Sequence, residues 1–289
     1  MRRICLGASL YAQEQHREEV IMELITKAIK NKKLFLLDID GTISLDSTLI
    51  DGTMDFVKHV NAIQGKYIFI TNNSTKSIED YVVKFTNLGI PVDESSFLTS
   101  SFATALYLKE KYQEQLLFVL GTKSFELELQ NFGLNITNEV VPGIVAAVVG
   151  FDNELNYEKI MKICQLLQTT SVDYIATNPD LACPVGFGYI PDCGAICDMI
   201  EKAVKKQPYY VGKPNRSMVD LSIASTGFTR EETLVIGDRL YTDIACGING
   251  EVDTALVFTG EAKLADLETT EFKPTYYCNS MRDIYENLI

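Results

Sequence analysis

The chain has 289 residues, of which 46% are hydrophobic and 22% are charged, and its mean hydropathy is +0.04. This composition excludes a largely disordered chain, and the length favours two domains or one domain with a large insertion. The formal net charge of -13 disfavours nucleic acid and anionic membranes as partners, because both attract basic proteins and repel acidic ones.

Cysteine and histidine usage argues against several kinds of site. The seven cysteines form no Cys-x-x-Cys pair, which disfavours zinc ribbons and thioredoxin-type redox sites. Cys193 and Cys197 would be neighbours on a helix, where we expect small buried thiols. Only His16 and His59 are available for a histidine-based zinc site or a Ser-His-Asp triad. Since neither a membrane span of roughly 20 apolar residues nor a persuasive signal peptide is found, we expect a cytoplasmic protein.

The segment before the first predicted strand has no assigned chemistry. Residues 14–23 are charged and helix-prone, and a second methionine, Met22, stands just ahead of the first strand. Translation from Met22 and a surface helix within residues 1–30 both agree with this pattern.

Short continuous apolar runs alternate with helical patterns along the rest of the chain. Such runs are typical of parallel strands that are covered on both faces. The runs are Leu34–Leu37, Tyr67–Ile70, Val145–Val149, Tyr174–Ala176, Tyr209–Val211, Leu234–Ile236 and Ala255–Phe258. Apolar residues at helical spacing are Ile160, Ile163, Cys164 and Leu167, then Ile196, Ile200 and Ala203. The alternation predicts right-handed βαβ units and a mainly parallel sheet.

Asp38 and Asp40 follow the first predicted strand, in a DIDGT sequence. Two carboxylates one residue apart at a strand end repel each other, and such a pair normally needs a cation. A turn or a helix cap is the structural alternative, since Asp-Gly is common turn chemistry. A calcium-binding EF-hand is disfavoured because no third acidic residue precedes the glycine and Leu49 stands where the bidentate glutamate belongs.

Three further strand ends carry polar chemistry. Thr71 and Asn72 open a TNNS stretch of hydroxyl and amide donors, which suits an anion at a helix start. Lys213 lies between a glycine and a proline, a context that excludes a Walker A lysine. Asp238 and Asp243 belong to a GDRLYTD stretch. Each motif alone is more often a turn or cap, but α/β sheets bind ligands at the carboxyl ends of their strands. Together the four motifs predict one ligand site.

These four motifs, in this order, resemble those of the haloacid dehalogenase superfamily of aspartate-nucleophile phosphatases. The residues around these motifs resemble more closely still its NagD-like, p-nitrophenylphosphatase-like branch (class IIA). The motifs that carry this resemblance are TNNS at 71–74, ATNPD at 176–180, IPDCG at 190–194, GKP at 212–214 and GDRLYTD at 237–243. The resemblance runs from about residue 32 to the C-terminus.

The resemblance implies an α/β fold with a Rossmann-like doubly wound parallel sheet and an inserted α/β cap of the C2 type. We expect an N-terminal extension over residues 1–31, core segments at 32–113 and 208–289, and the cap at 114–207. The resemblance also allows a homodimer, because caps in this branch often contribute to dimer contacts.

The implied reaction is Mg²⁺-dependent hydrolysis of a phosphomonoester through an aspartyl-phosphate. Asp38 would be the nucleophile, and Asp40 would be the general acid and then the general base. Mg²⁺ would be held by the carboxylates of Asp38 and Asp238 and by the main-chain carbonyl of Asp40.

The resemblance also implies how the phosphoryl group is held. The Thr71 hydroxyl, the Asn72 amide and Lys213 would bind its oxygens, and Lys213 would offset the negative charge of nucleophile and substrate. Asp243 would orient Lys213 or a metal-bound water.

Substrate choice would fall to the cap, where Asn178, Asp180 and the loop 183–188 would face the core site. For the loop, an ordinary strand connection is the structural alternative. A lid of this size shuts out water and large substrates. We therefore expect small phosphorylated metabolites: nucleotide monophosphates, sugar or glycerol phosphates, pyridoxal phosphate, and p-nitrophenyl phosphate as an artificial substrate.

Two other functions stay open at this point. A phosphotransferase or mutase would use the same four motifs with a sugar in place of water. A non-catalytic phosphate-binding protein on the same fold is disfavoured because both Asp38 and Asp40 are present.

Overall fold

The computed structural model describes residues 29–45, 48–73, 77–185 and 187–289. Most of the expected N-terminal extension, together with Ser74 and Gly186 of the quoted motifs, lies outside these residues.

Short strands and helices alternate along the described chain. The strands are β1 (Leu34–Leu37), β2 (Ser44–Leu45), β3 (Thr48–Leu49), β4 (Lys66–Thr71), β5 (Phe97–Thr99), β6 (Leu116–Leu120), β7 (Asn135–Thr137), β8 (Ile144–Val149), β9 (Asp173–Ala176), β10 (Ala182–Val185), β11 (Gly188–Pro191), β12 (Tyr209–Tyr210), β13 (Thr233–Gly237), β14 (Asp253–Val257) and β15 (Tyr276–Cys278). The α-helices are α1 (Thr53–Ala62), α2 (Ile78–Asn87), α3 (Ser100–Tyr112), α4 (Lys123–Asn131), α5 (Tyr157–Thr169), α6 (Cys193–Val204), α7 (Ser217–Thr226), α8 (Ala245–Asn249), α9 (Asp266–Thr269) and α10 (Met281–Leu288). A 3₁₀ turn covers Glu94–Ser96 and a π-helical turn covers Leu240–Ile244.

Two parallel sheets organise the described residues. The first has six strands in the order β15-β14-β13-β1-β4-β5, and the second has five in the order β12-β9-β8-β6-β7. The order reverses on either side of β1, because β4 and β13 both pair with it. A ligand crevice is expected where such a reversal occurs. The predicted doubly wound α/β fold with an inserted cap is confirmed.

Strand β1 shows why the apolar runs become parallel strands. All four of its residues, LFLL, are buried. Leu34 and Leu36 join one apolar cluster and Phe35 and Leu37 another, as the two-residue period of a strand requires. A strand that packs on both faces needs an unbroken apolar sequence.

The second sheet is the inserted cap. Its strands β6–β9 and β12 are bounded by core helix α3 on one side and Lys213 on the other. The apolar cluster on one core face continues through α3 to the cap, where Leu117 and Val148 join it. Strand β12 pairs with β9 of this sheet, and we therefore propose that the cap, expected to end at residue 207, extends to Tyr210.

Several short elements differ from the expectations. The sequence reading did not include β5, β6, β7 and β15, nor the hairpins β2–β3 and β10–β11. The helix expected at TNNS begins only at Ile78, where Ser77 and Asp80 form a capping box. Cys193 and Cys197 are buried free thiols, as expected. Within the described residues, no helix is both long and apolar enough to cross a bilayer.

Candidate active site

The ends of β1, β4 and β13 bring the predicted site residues to one edge of the central sheet. Asp38 directly follows β1, and its main-chain N–H donates to Ile236 O of β13 at 2.9 Å. Thr71 is the last residue of β4, and Asp238 directly follows β13. Lys213 arrives from the cap side, three residues after β12. The sequence prediction that the four motifs meet at one place is therefore correct.

Lys213 is the centre of this meeting point. Its ammonium group donates to Asp38 Oδ1 at 2.5 Å, to Asp243 Oδ1 at 2.7 Å and to the carbonyl of Ile70 at 3.0 Å. The side chain is 2% exposed. Because three acceptors surround the buried ammonium group, the fold holds the Lys213 side chain in its orientation toward Asp38.

Burial and crowding of carboxylates set the charge state of this site. Burial raises the pKa of Asp38 well above its ordinary value; Lys213 opposes this shift, and Asp243 and Asp238 add to it. Burial, with a contribution from Asp243, also raises the pKa of Asp238 to about 6. Burial lowers the pKa of Lys213, but Asp243 and Asp38 outweigh it, so that this pKa rises above its ordinary value. One lysine does not fully compensate three neighbouring carboxyl groups.

These three carboxyl groups also fit a metal ion. Asp38, Asp238 and Asp243 each offer an oxygen, and the three atoms lie within 4.8 Å of one another. Among the described residues, Oδ1 of Asp238 is buried without a hydrogen-bond partner, whereas Oδ2 accepts from the N–H of Glu261 at 2.7 Å. A buried carboxylate oxygen without a partner is costly unless a cation binds it. Carboxylate oxygens are the ligands that a hard cation such as Mg²⁺ prefers.

Two glycines make room for Asp238. Gly41 has φ +93°, which favours glycine, and a Cβ there would lie 2.7 Å from Asp238 Oδ2. A Cβ on Gly260 would lie 1.9 Å from the same oxygen. The glycine of DIDGT therefore serves both the turn and the close approach of the carboxylate.

Asp40 occupies a more open position than Asp38. Its side chain is 39% exposed, and its Oδ1 lies 3.7 Å from the ammonium group of Lys84, on helix α2. Asp40 lines both the small pocket at Asp38 and an adjoining cavity of about 740 Å³, which Tyr189 of the cap hairpin also lines. A carboxyl group at the junction of the two spaces can exchange a proton with a molecule bound in either one.

The neighbouring motif places Thr71 and Asn72 differently. Thr71 lines the small pocket, and its hydroxyl accepts from the N–H of Asn73 at 3.1 Å and also contacts the phenol of Tyr81. Both N–H groups of the Asn72 side chain are used inside the protein, toward Asp180 at 2.6 Å and the carbonyl of Lys213 at 2.9 Å. These contacts favour a positioning role for that side chain.

The two predicted cap residues lie on the cap side of the pocket. Asp180 lines it, and its carboxylate accepts from Asn178 and from Arg239. Asn178 is fully buried and also donates to Asp192 at 3.1 Å. Burial raises the pKa of Asp192 to about 6, and Asp180 adds to this shift. Asn178 thus holds the cap strands together at the pocket, and its contacts favour positioning over direct substrate binding.

Sequence reasoning missed three charged residues at the site. Arg239 lies inside the quoted GDRLYTD motif but had no role; it pairs with Asp180 at 2.8 Å and with Glu261 at 2.9 Å. Lys84 stands beside Asp40. The signal for Arg239 was its place between two assigned aspartates, whereas Lys84 and Glu261 lie in segments without a recognisable motif.

Comparisons with known proteins agree with this fold. A family model described as a haloacid dehalogenase-like hydrolase matches residues 35–135, and one described as HAD-hydrolase-like matches residues 210–284. An acid sugar phosphatase of Staphylococcus epidermidis is 32% identical over 248 residues, which are 86% of this chain and 95% of that protein. The crystal structure of a 4-nitrophenylphosphatase from Thermotoga maritima superposes with a TM-score of 0.85 at 34% identity, over 91% of this chain and 99% of that one. NagD from E. coli K-12 gives 0.78 at 29% identity, over 87% and 98%.

The fold, the motifs at the strand ends and these matches define a haloacid dehalogenase-like hydrolase, and the chain belongs to that superfamily. Within it, the protein is a phosphatase of the NagD-like, p-nitrophenylphosphatase-like branch.

Proposed function

We propose that this phosphatase hydrolyses small phosphomonoesters, with Mg²⁺ as cofactor and an aspartyl-phosphate as intermediate. One observation carries the proposal. Oδ1 of Asp38 lies 2.5 Å from the ammonium group of the buried Lys213, and Asp38 shares an acidic cluster with Asp238. The buried Oδ1 of Asp238, called its inner oxygen below, has no partner among the described residues. A nucleophile suits an anionic substrate when a fixed ammonium group and a carboxylate able to bind a metal ion lie beside it.

In the first step a carboxylate oxygen of Asp38 attacks phosphorus, and the bond from phosphorus to the ester oxygen breaks. Asp40 gives a proton to the departing oxygen, so that an alcohol leaves. Splitting hydrolysis into two displacements makes each one easier. The open position of Asp40, at the junction with the larger cavity, supports this role.

In the second step water replaces the leaving alcohol. Asp40, now a carboxylate, takes a proton from water, and the oxygen of that water attacks the phosphorus of the aspartyl-phosphate. The bond between phosphorus and the Asp38 oxygen breaks, which releases inorganic phosphate and restores the carboxylate. Loss of the acidic proton in step one therefore prepares the base for step two.

The phosphoryl oxygens need donors throughout both steps. We assign them the Thr71 hydroxyl and the ammonium group of Lys213, with Asp243 orienting the lysine through its 2.7 Å contact. Both oxygens of Asp243 are occupied, by Lys213 and by the N–H of Arg239, which favours this positioning role over metal binding. Since the side-chain donors of Asn72 are used within the protein, we assign any contact of this residue with phosphate to its main chain.

Mg²⁺ would be held by the carboxylates of Asp38 and Asp238 and by the main-chain carbonyl of Asp40. The positive charge that a bound Mg²⁺ supplies would offset the repulsion between these carboxylates and the phosphoryl group. The inner oxygen of Asp238 supports this assignment.

The cavity beside Asp40 supports the proposed substrate class. Its volume of about 740 Å³ is large enough for a small metabolite beside Asp40. Relatives named acid sugar phosphatase and 4-nitrophenylphosphatase favour sugar phosphates and p-nitrophenyl phosphate. A cytoplasmic location, a homodimer and the absence of nucleic-acid or membrane partners remain predictions.

The test is hydrolysis of p-nitrophenyl phosphate with Mg²⁺, with EDTA, and by the Asp38→Asn variant with Mg²⁺. We expect turnover only in the first case, followed by activity on a panel of sugar, glycerol and nucleotide phosphates. Full activity of Asp38→Asn would overturn the aspartyl-phosphate, and full activity in EDTA would overturn the cofactor. Phosphate transfer to an added sugar in place of water would support the phosphotransferase alternative.

A further inference from the structure

The side chain of Asn72 forms hydrogen bonds with both the main-chain N–H and the main-chain carbonyl of Lys213. The side-chain Oδ1 accepts from the N–H of Lys213 at 2.9 Å, and Nδ2 donates to the carbonyl of the same residue at 2.9 Å. A Cβ on Gly212 would lie 2.6 Å from Asn72 Oδ1, so that only glycine lets the amide approach this closely. Asn72 is 7% exposed and Lys213 2%, so these bonds are shielded from water.

The remaining N–H of Asn72 leads into the cap. It donates to Asp180 Oδ2 at 2.6 Å, and Asp180 Oδ1 accepts from Arg239 at 2.8 Å. The main-chain N–H of Arg239 donates to Asp243 Oδ2 at 3.0 Å, and Asp243 Oδ1 accepts from the Lys213 ammonium group at 2.7 Å. The contacts therefore close a ring that starts at the main chain of Lys213 and returns to its side chain.

We propose that Asp180 and Asn72 are positioning residues that act on the reaction through Lys213. This proposal rests on the proposed role of Lys213 in holding the phosphoryl group. The cap contributes Asp180 to the ring, and the core contributes Asn72, Arg239 and Asp243. When the cap places Asp180 against Asn72 and Arg239, the hydrogen bonds that Asp180 accepts from them fix the orientation of Lys213.

The rival interpretation is that Asp180 contacts the substrate, as the sequence resemblance implies. The two roles differ in what they act on. The phosphoryl group is common to every substrate, whereas the leaving group is not. A residue that orients Lys213 changes the reaction of all phosphomonoesters by one factor, and a residue that contacts the leaving group changes each by a different factor.

Asp180→Asn is the most informative substitution. Asp180 Oδ1 faces a donor of Arg239, and Oδ2 faces donors of Asn72 and Asn178. Whichever way an asparagine amide turns, its NH₂ group therefore meets a donor. The side-chain volume is preserved, so the change removes the polar match rather than the packing.

The experiment measures kcat/KM for p-nitrophenyl phosphate, glycerol phosphate and a sugar phosphate with wild type, Asp180→Asn, Lys213→Ala and the double variant. We expect Asp180→Asn to lower all three values by one common factor of about 10², the cost of a small misplacement of a catalytic group. The inhibition constant of inorganic phosphate, which has no leaving group, should rise too. In the Lys213→Ala background, Asp180→Asn should change almost nothing.

Matched variants keep the test decisive. Asp198→Asn, at an exposed position on the cap helix α6, should behave as wild type. Should the single variant unfold because Arg239 loses its buried partner, Asp180→Asn/Arg239→Gln removes both charges and should give the same uniform loss. Losses that differ between substrates, or that add fully to Lys213→Ala, would overturn the proposal. Near-normal activity of Lys213→Ala would instead overturn the proposed function.

Discussion

The ammonium group of Lys213 lies 2.5 Å from Oδ1 of Asp38, although 175 residues separate the two in the chain. The contact joins the strand end that carries the proposed nucleophile to the point where the chain returns from the cap. Burial raises the pKa of Asp38, Asp243 and Asp238 add to this shift, and Lys213 opposes it. The lysine thus favours the ionised form of the carboxyl group, which the proposed attack on phosphorus requires.

Loss of this lysine should reduce both activity and stability. We expect Lys213→Ala to lower kcat/KM about 10²–10³-fold, because a fixed cation at the transferring phosphoryl group is lost. The free energy of unfolding should fall by about 3–5 kcal/mol, because Asp38 and Asp243 lose their shared buried partner. Steady-state kinetics and urea unfolding check the two effects, with the exposed Lys202→Ala on helix α6 as the unaffected control. Near-normal kcat/KM in Lys213→Ala would contradict the assigned role.

Substitution of Asp40 should slow the first step most for substrates whose leaving group needs a proton. p-Nitrophenolate leaves without protonation, whereas the alkoxide of glycerol phosphate does not. We expect Asp40→Asn to show a burst of p-nitrophenol close to one equivalent per site, followed by slow turnover, because the base of the second step is missing. With glycerol phosphate, the first step itself should slow about 10²–10⁴-fold. Rapid-quench measurements compare the two substrates, and equal slowing of both first steps would contradict the assignment.

The location of the site was predictable from sequence because each motif follows an apolar run. Strand β1 and the ends of β4 and β13 were recognisable from continuous apolar runs in the sequence, and these runs are buried in the structure. Parallel strands bring such ends together at one edge of the sheet. Strands β5 and β7, with three residues each, carry too short a pattern. Strand β6 was missed although LLFVL is a continuous apolar run like that of β1, and all five of its residues are buried or partly buried.

The roles of individual polar side chains were less predictable. The donors of the TNNS stretch suggested an anion site, and the family resemblance implied that the Asn72 amide would hold phosphate. Its actual partners, Lys213 and Asp180, are 141 and 108 residues away, and no local pattern reports such contacts. Lys84 reaches Asp40 from the second turn of helix α2, where the sequence shows only an ordinary amphipathic helix. Tertiary contacts, rather than residue types, decide which groups remain available to a substrate.

A carboxyl group in the cap should make stability depend on pH. Burial raises the pKa of Glu128, on helix α4, from 4.5 to about 7; Glu79 adds to the shift and a hydrogen bond from Ser101 opposes it. The folded state therefore holds this proton more tightly than the unfolded state, so the contribution of Glu128 to stability is present below about pH 4.5 and is lost as pH rises to about 7. Glu128→Gln should raise the free energy of unfolding by about 1–2 kcal/mol at pH 8, after allowance for partial exposure, and change it little at pH 4.5.

Thermal unfolding at both pH values checks this prediction. The exposed Glu110→Gln on core helix α3 is the control, and its effect should be the same at both pH values. A Glu128→Gln variant that is equally stabilised, or destabilised, at pH 4.5 and pH 8 would show that this carboxyl group is not the source of the dependence.

The inner oxygen of Asp238 should make Mg²⁺ a stabilising ligand. Mg²⁺ at 100 times its dissociation constant should raise the free energy of unfolding by about 2.7 kcal/mol, and EDTA should remove the gain. Asp238→Asn should abolish this gain because the variant lacks the carboxylate that the ion would bind. Without Mg²⁺ the variant should be at least as stable as wild type at pH 8, since burial and Asp243 already disfavour the Asp238 anion. Asp198→Asn should keep the full Mg²⁺ effect, and an Asp238→Asn variant that keeps it too would place the ion elsewhere.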